Sequence, residues 1–513
     1  MDNNRNRLLK ASVIVTVISI IGKFLGFARD AVIAAFYGAN WQTDAFFFAQ
    51  SMPGILFPAV CNSLSTAFLT AFVAKSVEDR DNADLYASKA ISFSFILTIT
   101  LSGIAIIITP FLVPLFAPGF STNQTVLAIH LTRITMAAFV LAMGQYMLSA
   151  VLSAKKQFYG AQIAALVYNF TVIAITIVIG RSQNMDALTG TVVLGHVVQL
   201  IILFFIARKR FKFSVSIRFF NSDTQTLIKL TLPILLGNSI VQINNIVDKV
   251  LSSLFSEGAM SALSYANTLN RFVTGVVITT LSTVIYPILA EHYSKGEDSE
   301  FSQTVRKSII ISLMALLPVS LITTLCASDI VDIVYVRGEF NIDASTLTSS
   351  ALAFYGMMYV FSAVQEVIVR AFYSMKDTKT PLKTAALAIL SNAIMSYFFS
   401  RVFGMGLAGI ALGTTLSTFL AASLLILALK NRVPGFALSK LIRSFSKILL
   451  SAIVLLGGIL FMRKLFTGMI PLLRFIMITL ISFAIHLGVL ALIKCDEISE
   501  AKQLLCKILK RHS

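Results

Sequence analysis

Charge is what this sequence has least of. Only 13% of its 513 residues are Asp, Glu, Lys or Arg, while 57% are hydrophobic. Soluble domains carry about 25% charged residues. A soluble protein so apolar could not cover its surface, so lipid must be the solvent for most of the chain. Cysteine is scarce as well. Cys61, Cys326, Cys495 and Cys506 lie far apart, without metal-ligand spacing, and read as small apolar fillers. There is no nucleophile–base set, no metal-ligand cluster and no phosphate-binding loop. Chemistry on a substrate, and a cofactor to perform it, are therefore not expected. The basic residues 1–10 are not followed by a short apolar segment with a small-residue cleavage site. The first apolar stretch is too long for a signal peptide and reads as a retained first span.

What the chain does have is long apolar runs. In lipid every backbone polar group must pair internally, which leaves helices or a closed barrel. Runs of 20 or more residues exclude the ten-residue alternating segments of a barrel. The expected fold is an all-α polytopic membrane protein with fourteen transmembrane helices. The spans lie near 11–39, 44–74, 86–114, 126–154, 158–180, 187–207, 225–256, 259–290, 303–327, 346–374, 380–403, 406–429, 443–463 and 470–493.

The net charge of +18 would suggest nucleic acid in a soluble protein, but its distribution points elsewhere. The N-terminus, the even-to-odd loops with their flanking turns and the C-terminus hold 30 of the 42 Lys and Arg residues. The opposite loops hold 6, and 6 more lie within spans. This bias puts both termini in the cytoplasm and makes anionic membrane lipids secondary partners.

Four landmarks recur at a nearly constant offset. Asp30-x-Val32 matches Asp248-x-Val250, and Gly38-Ala39 matches Gly258-Ala259. Gly119-Phe120 matches Gly338-Glu339-Phe340, and Lys156 matches Lys376. An offset of six spans preserves orientation, so two parallel six-helix repeats are expected around a central cavity. They occupy residues 1–218 and 219–435. Residues 436–513 hold two additional helices and a cytoplasmic tail.

Cations within spans are expensive and need water or an anion. Lys23 lies about 18 Å and Arg29 about 27 Å into span 1, at about 1.5 Å per residue. Lys249 stands toward the outer end of span 7, and Arg271 lies within span 8. Asp30 shares a helix face with Lys23. Asn238, Gln242, Asn245 and Lys249 form one polar stripe along span 7, which lines a cavity or bonds a neighbouring helix. Glu366 and Arg370 read as a structural i,i+4 pair. Pro53 and Pro58 are expected to kink span 2. A cavity with more cation than anion suits an anionic substrate.

The segments GFARDAVIAAFYGA (26–39), TDAFFFA (43–49), APGF (117–120), PILLGNSIVQINNIVDK (233–249) and FYSMKDTKTPLK (372–383) resemble the MurJ/MviN family of lipid II flippases. The resemblance covers essentially the whole chain. It implies the multidrug/oligosaccharidyl-lipid/polysaccharide exporter superfamily and a groove for the lipid tail formed with spans 13 and 14. The implied substrate is lipid II, an undecaprenyl-diphosphate-linked disaccharide pentapeptide, moved across the bacterial cytoplasmic membrane. Cell-wall synthesis or division proteins are implied as further partners. Lys23, Arg29, Asp30 and Asp44 match family cavity positions. Two departures stand out: Phe57-Pro58 replaces an arginine pair, and Thr268 stands where many members have arginine, with Arg271 three residues on. Other readings are a flippase for another undecaprenyl-linked glycan, a cation or drug antiporter, and a non-transporting scaffold. The intramembrane cations argue against a scaffold.

Overall fold

The computed structural model describes residues 2–78, 80–157, 159–209, 211, 213–214, 222–433 and 435–493. Among these the chain is helical throughout, with no strand. In order come α1 (Asp2–Tyr37), α2 (Trp41–Leu56), α3 (Pro58–Glu78), α4 (Arg80–Phe116), α5 (Thr122–Ala154) and α6 (Tyr159–Ile179). Then follow α7 (Met185–Ala207), α8 (Ser222–Ser253), α9 (Ala259–Ser294), α10 (Asp298–Leu325) and α11 (Ala327–Tyr335). The chain continues with α12 (Ile342–Ser374), α13 (Lys379–Tyr397), α14 (Leu407–Arg432), α15 (Leu438–Leu465) and α16 (Pro471–Leu492).

Among the described residues, 11 stretches are long and apolar enough to cross a membrane. They coincide with the predicted spans 2–6 and 9–14, α2 and α3 together supplying one. Predicted spans 1, 7 and 8 fall on α1, α8 and α9, helices of 36, 32 and 36 residues. The predicted kink in span 2 is present as the break between α2 and α3. Pro53 has no N–H, so the Ala49 carbonyl loses its helical donor. Thr135 Oγ1 of α5 donates to that carbonyl instead, at 2.9 Å.

One pair of helices matches at the offset read from the sequence. Thr122–Ala154 and Ile342–Ser374 begin and end 220 residues apart. Both helices close with the same turn. Gln157 N–H donates to Leu152 O (2.8 Å) and Lys156 N–H to Ser153 O (3.0 Å). Asp377 N–H donates to Phe372 O (2.9 Å) and Lys376 N–H to Tyr373 O (3.0 Å). This is the Schellman pattern, whose penultimate position is usually glycine because it is left-handed. Here lysine fills it twice, with φ 60° at Lys156 and 59° at Lys376. Asp377 then starts α13 by accepting from the Thr380 and Lys379 N–H groups. Those bonds, with the Thr380 hydroxyl, hold its carboxyl below the ordinary range.

Packing divides the chain into two compact units, residues 1–264 with 337–344, and residues 265–336 with 345–513. The cut at residue 218 follows sequence correspondence; the packing division follows contact, and α8 packs on α3 and α4. In the first unit the buried aromatic rings of Phe46, Phe48, Phe68 and Phe72 anchor the core. There Gly338 (φ 60°) lies so close to α1 that a Cβ would sit 2.1 Å from Ala35 O. The next residue's N–H, from Glu339, donates to the same carbonyl at 2.9 Å.

In the second unit the two C-terminal helices are tied to α10 and α11. His486 of α16 sits between Ser451 Oγ of α15 (2.8 Å) and Met314 O of α10 (2.9 Å). The carbonyl can only accept, so Nε2 carries the proton and Nδ1 accepts from the serine. Arg474 at the start of α16 pairs with the buried Asp329 of α11.

Candidate substrate site

The first cluster of predicted residues lies where α1 packs on α6. The Arg29 Nε and Nη2 groups both donate to Asp30 Oδ1, at 2.9 and 2.8 Å. Nη1 reaches Tyr168 Oη at 3.5 Å and Asn169 Oδ1 at 3.4 Å. The guanidinium carbon lies 5.7 Å from the Tyr168 ring centre, a cation–π distance. Gly195 permits this arrangement, because a Cβ there would lie 2.9 Å from the Tyr168 ring. The cation is held in place by an adjacent carboxylate and two hydrogen-bonding side chains of α6. Its side chain keeps 23% of its surface exposed. Lys23 stands on the same helix, partly buried.

A second cluster surrounds Asp44. Asn40 starts α2, its Oδ1 accepting from Gln42 and Thr43 N–H while its own N–H donates to Thr43 Oγ1. That turn directs Asp44 at the first turn of α9. Asp44 Oδ2 accepts from Gly258 N–H (2.7 Å), and Oδ1 from Ser261 N–H (2.7 Å) and Ser261 Oγ (2.8 Å). The carboxylate thus satisfies donors that a helix N-terminus otherwise leaves open. Lys249 donates to Ser264 Oγ at 3.1 Å, one turn further along α9. On the face of α8, Asn245 Nδ2 donates to Gln242 Oε1 at 3.0 Å. The Asn238 side chain lies outside the described residues. Arg271 is exposed and belongs to the second unit.

Beside the first cluster is an open cavity of about 510 Å³ lined by α2, α5, α6 and α7, with Phe57 and Cys61 at the helix break. Gln50, Gln145, Gln199, Tyr168 and His196 are among its walls. Gln145 Nε2 donates to His196 O (2.9 Å) and lies 3.3 Å from His196 Nδ1. With the amide donating, Nδ1 accepts and the ring proton sits on Nε2. The His196 ring packs on Tyr168, with centroids 4.6 Å apart.

A family profile described as "Lipid II flippase MurJ" matches residues 33–481. The chain belongs to the MurJ family.

Relatives named as family members cover most of the chain. A "Probable lipid II flippase MurJ" of Buchnera aphidicola subsp. Acyrthosiphon pisum is 26% identical over 432 residues, 83% of this chain and 84% of that one. A "Lipid II flippase MurJ" of Burkholderia cenocepacia is 25% identical over 88% of this chain and 89% of that one. Among solved structures, "Lipid II flippase MurJ, inward closed conformation" superposes with a TM-score of 0.79 at 22% identity, covering 93% and 98% of the two chains. An inward-facing MATE multidrug transporter of the MOP superfamily gives 0.69 at 17% identity, covering 82% and 98%. At these identities the two structures speak for the fold, which is that of the MurJ family and its MATE cousins.

The structure brings Arg29 and Asp30 together, and separately gathers Asp44 and Lys249 around the start of α9. Sequence reasoning missed Tyr168, Asn169, Gln145 and His196. The signal that could have found them is an uncharged polar side chain in the middle of an apolar run, which is costly unless bonded.

Proposed function

We propose that the chain carries lipid II from the inner to the outer leaflet of the bacterial cytoplasmic membrane by alternating access. The observation that carries this reading is the family match over residues 33–481. The Arg29 cluster supports it physically. A diphosphate needs fixed cations in a site of low dielectric, and arginine offers it two parallel donors. In this reading Arg29 and Lys23 attract the diphosphate, and Asp30 fixes the direction of the guanidinium. Lys249, Arg271 and the polar face of α8, with Asn238, Gln242 and Asn245, serve the path of the headgroup. Asp44 acts on that path by holding the start of α9. Fourteen spans, both termini in the cytoplasm, repeats at 1–218 and 219–435 and a C-terminal pair in 436–513 complete the proposal. Cell-wall synthesis and division proteins are its further partners.

The test is depletion of the protein in its own host, followed by measurement of lipid-linked precursors on each leaflet. Lipid II should accumulate on the cytoplasmic leaflet. Accumulation of a different undecaprenyl-linked glycan, with lipid II distributed normally, would assign the protein to that glycan instead.

A further inference from the structure

The cavity among α2, α5, α6 and α7 has a lining of one chemical kind. Apart from the neutral His196, its walls carry no acidic or basic side chain, yet three amides face it: Gln50, Gln145 and Gln199. Gln145 uses its amide N–H to hold His196, which leaves the imidazole Nε2–H as a donor. Among the described residues, Gln50 and Gln199 make no side-chain hydrogen bond within the protein. These amides reach the open space of the cavity, where water or a ligand can bond them.

The backbone contributes as well. Pro58 has no N–H, so the carbonyl of Gly54, four residues before it, has no helical donor. Gly54 itself lines the cavity, and a Cβ added there would meet nothing within 4 Å. Aromatic faces complete the wall. Tyr168 lines it, and Phe57 stacks on Phe139 with centroids 3.6 Å apart.

This lining selects among ligand groups. An isoprenyl chain would displace water from Gln50 and Gln199 without bonding either amide. A carboxylate-bearing peptide or a cationic drug would need an opposite charge that the walls do not offer. A neutral group with many hydroxyl or acetamido functions and an apolar ring face fits both the amides and the aromatic rings. The cavity also has a fixed relation to the cation described above, because Tyr168 forms part of its wall and accepts from Arg29 Nη1. A diphosphate at Arg29 would therefore carry its first sugar to the cavity mouth.

We propose that this cavity seats an uncharged glycosyl group of the transported lipid, with Gln50, Gln145, Gln199 and His196 as its hydrogen-bonding partners. The inference rests on the reading of the chain as a lipid II flippase and assigns the sugar-recognising part of the site. It makes the cavity a specificity element: the diphosphate gives attachment, and the glycosyl group decides which lipid is accepted.

The test uses full-length protein in nanodiscs with two probes, lipid II and undecaprenyl diphosphate, which share the chain and the diphosphate but differ in the headgroup. The variants are Gly54→Leu, which fills the cavity, and Gln199→Leu, which removes an amide. Gly54→Leu meets open space and should leave the melting temperature unchanged or higher. Wild-type protein should prefer lipid II by about tenfold or more. Both variants should lose that preference while binding undecaprenyl diphosphate as wild type does. Arg29→Ala should weaken both lipids alike. A wild-type preference that survives in both variants overturns the inference, as does an equal loss for the two probes. Wild-type protein that binds undecaprenyl diphosphate without any preference for lipid II overturns it too, and leaves a diphosphate-lipid transporter standing. Protein that binds neither lipid overturns the flippase reading and this inference with it.

Discussion

Asp44→Asn is the most informative single change for the end of the first unit where α2 meets α9. The carboxylate is 2% exposed and accepts three hydrogen bonds, at 2.7, 2.7 and 2.8 Å. Asparagine has the same shape but only one acceptor oxygen. In its better orientation the oxygen faces Ser261 and the new NH2 faces the Gly258 N–H, so two donors oppose each other. One charged bond, about 1.5–3 kcal/mol, is lost, and the other two fall to neutral strength, about 0.5–1.5 kcal/mol each. The sum is a destabilisation of about 3.5–6 kcal/mol. Asp44→Ala leaves the Gly258 and Ser261 N–H groups unmatched, while the Ser261 hydroxyl keeps Gly258 O at 3.0 Å, and by the same count should cost about 4–7.5 kcal/mol. Ser261→Ala removes one hydroxyl bond and should cost about 1 kcal/mol. With an unfolding entropy of about 2.1 cal/mol/K per residue, a chain of this length shifts its melting temperature by about 1 °C per kcal/mol. Thermal unfolding of purified protein followed by tryptophan fluorescence or size-exclusion should therefore rank Asp44→Ala lowest, then Asp44→Asn, then Ser261→Ala. A melting temperature for Asp44→Asn indistinguishable from wild type would refute the argument that a charged acceptor holds the start of α9.

Three further outcomes are expected. Arg29→Ala should abolish transport and also destabilise the fold, because it strands the Asp30 carboxylate; adding Asp30→Asn should recover thermal stability but not complementation of a depletion strain, and recovery of both would reduce Arg29 to a structural role. Gly338→Ala should lower the yield of folded protein sharply, since its Cβ would lie 2.1 Å from Ala35 O at a φ of 60°, whereas Gly54→Ala should be tolerated; equal yields of the two on detergent extraction would contradict this. Cysteines at Lys155 or Lys376 should be shielded from impermeant thiol reagents in intact cells while those at Trp41 or Gly119 react, and outside labelling at Lys376 would invert the proposed topology.

The helices were legible because long apolar runs permit little else, and one recurring turn was legible because it kept a distinctive residue. Lys156 and Lys376 are a case in point: two lysines 220 residues apart close two helices with the same left-handed turn. The partnership of Arg29 with Asp30 could be expected from their adjacency. The long-range partners could not. Tyr168 is 139 residues from Arg29, and Gly258 is 214 from Asp44. Such meetings are set by which faces of two helices pack together, and on a helix that is apolar nearly all round no periodic pattern marks the face. Asp44 illustrates the consequence. The family resemblance suggested a cavity carboxylate, and folding adds a cap on a helix remote in sequence, which no local pattern marks. The cavity itself went unseen because its amides are scattered over three spans and only folding collects them.

His486 constrains how the second unit can move. One neutral imidazole is bonded to α15 on one nitrogen and to α10 on the other, and the Arg474–Asp329 pair repeats the attachment at the far end of α16. The last two helices are therefore not a loosely tethered tail. For α10 and α11 to slide or tilt without them, the bond to the Met314 carbonyl and a buried ion pair would both have to come apart in a medium with no water to replace them. The less costly course is for α10, α11, α15 and α16 to travel as a single piece. A spectroscopic label near the start of α16 would then report displacements of α10 with little slack between them.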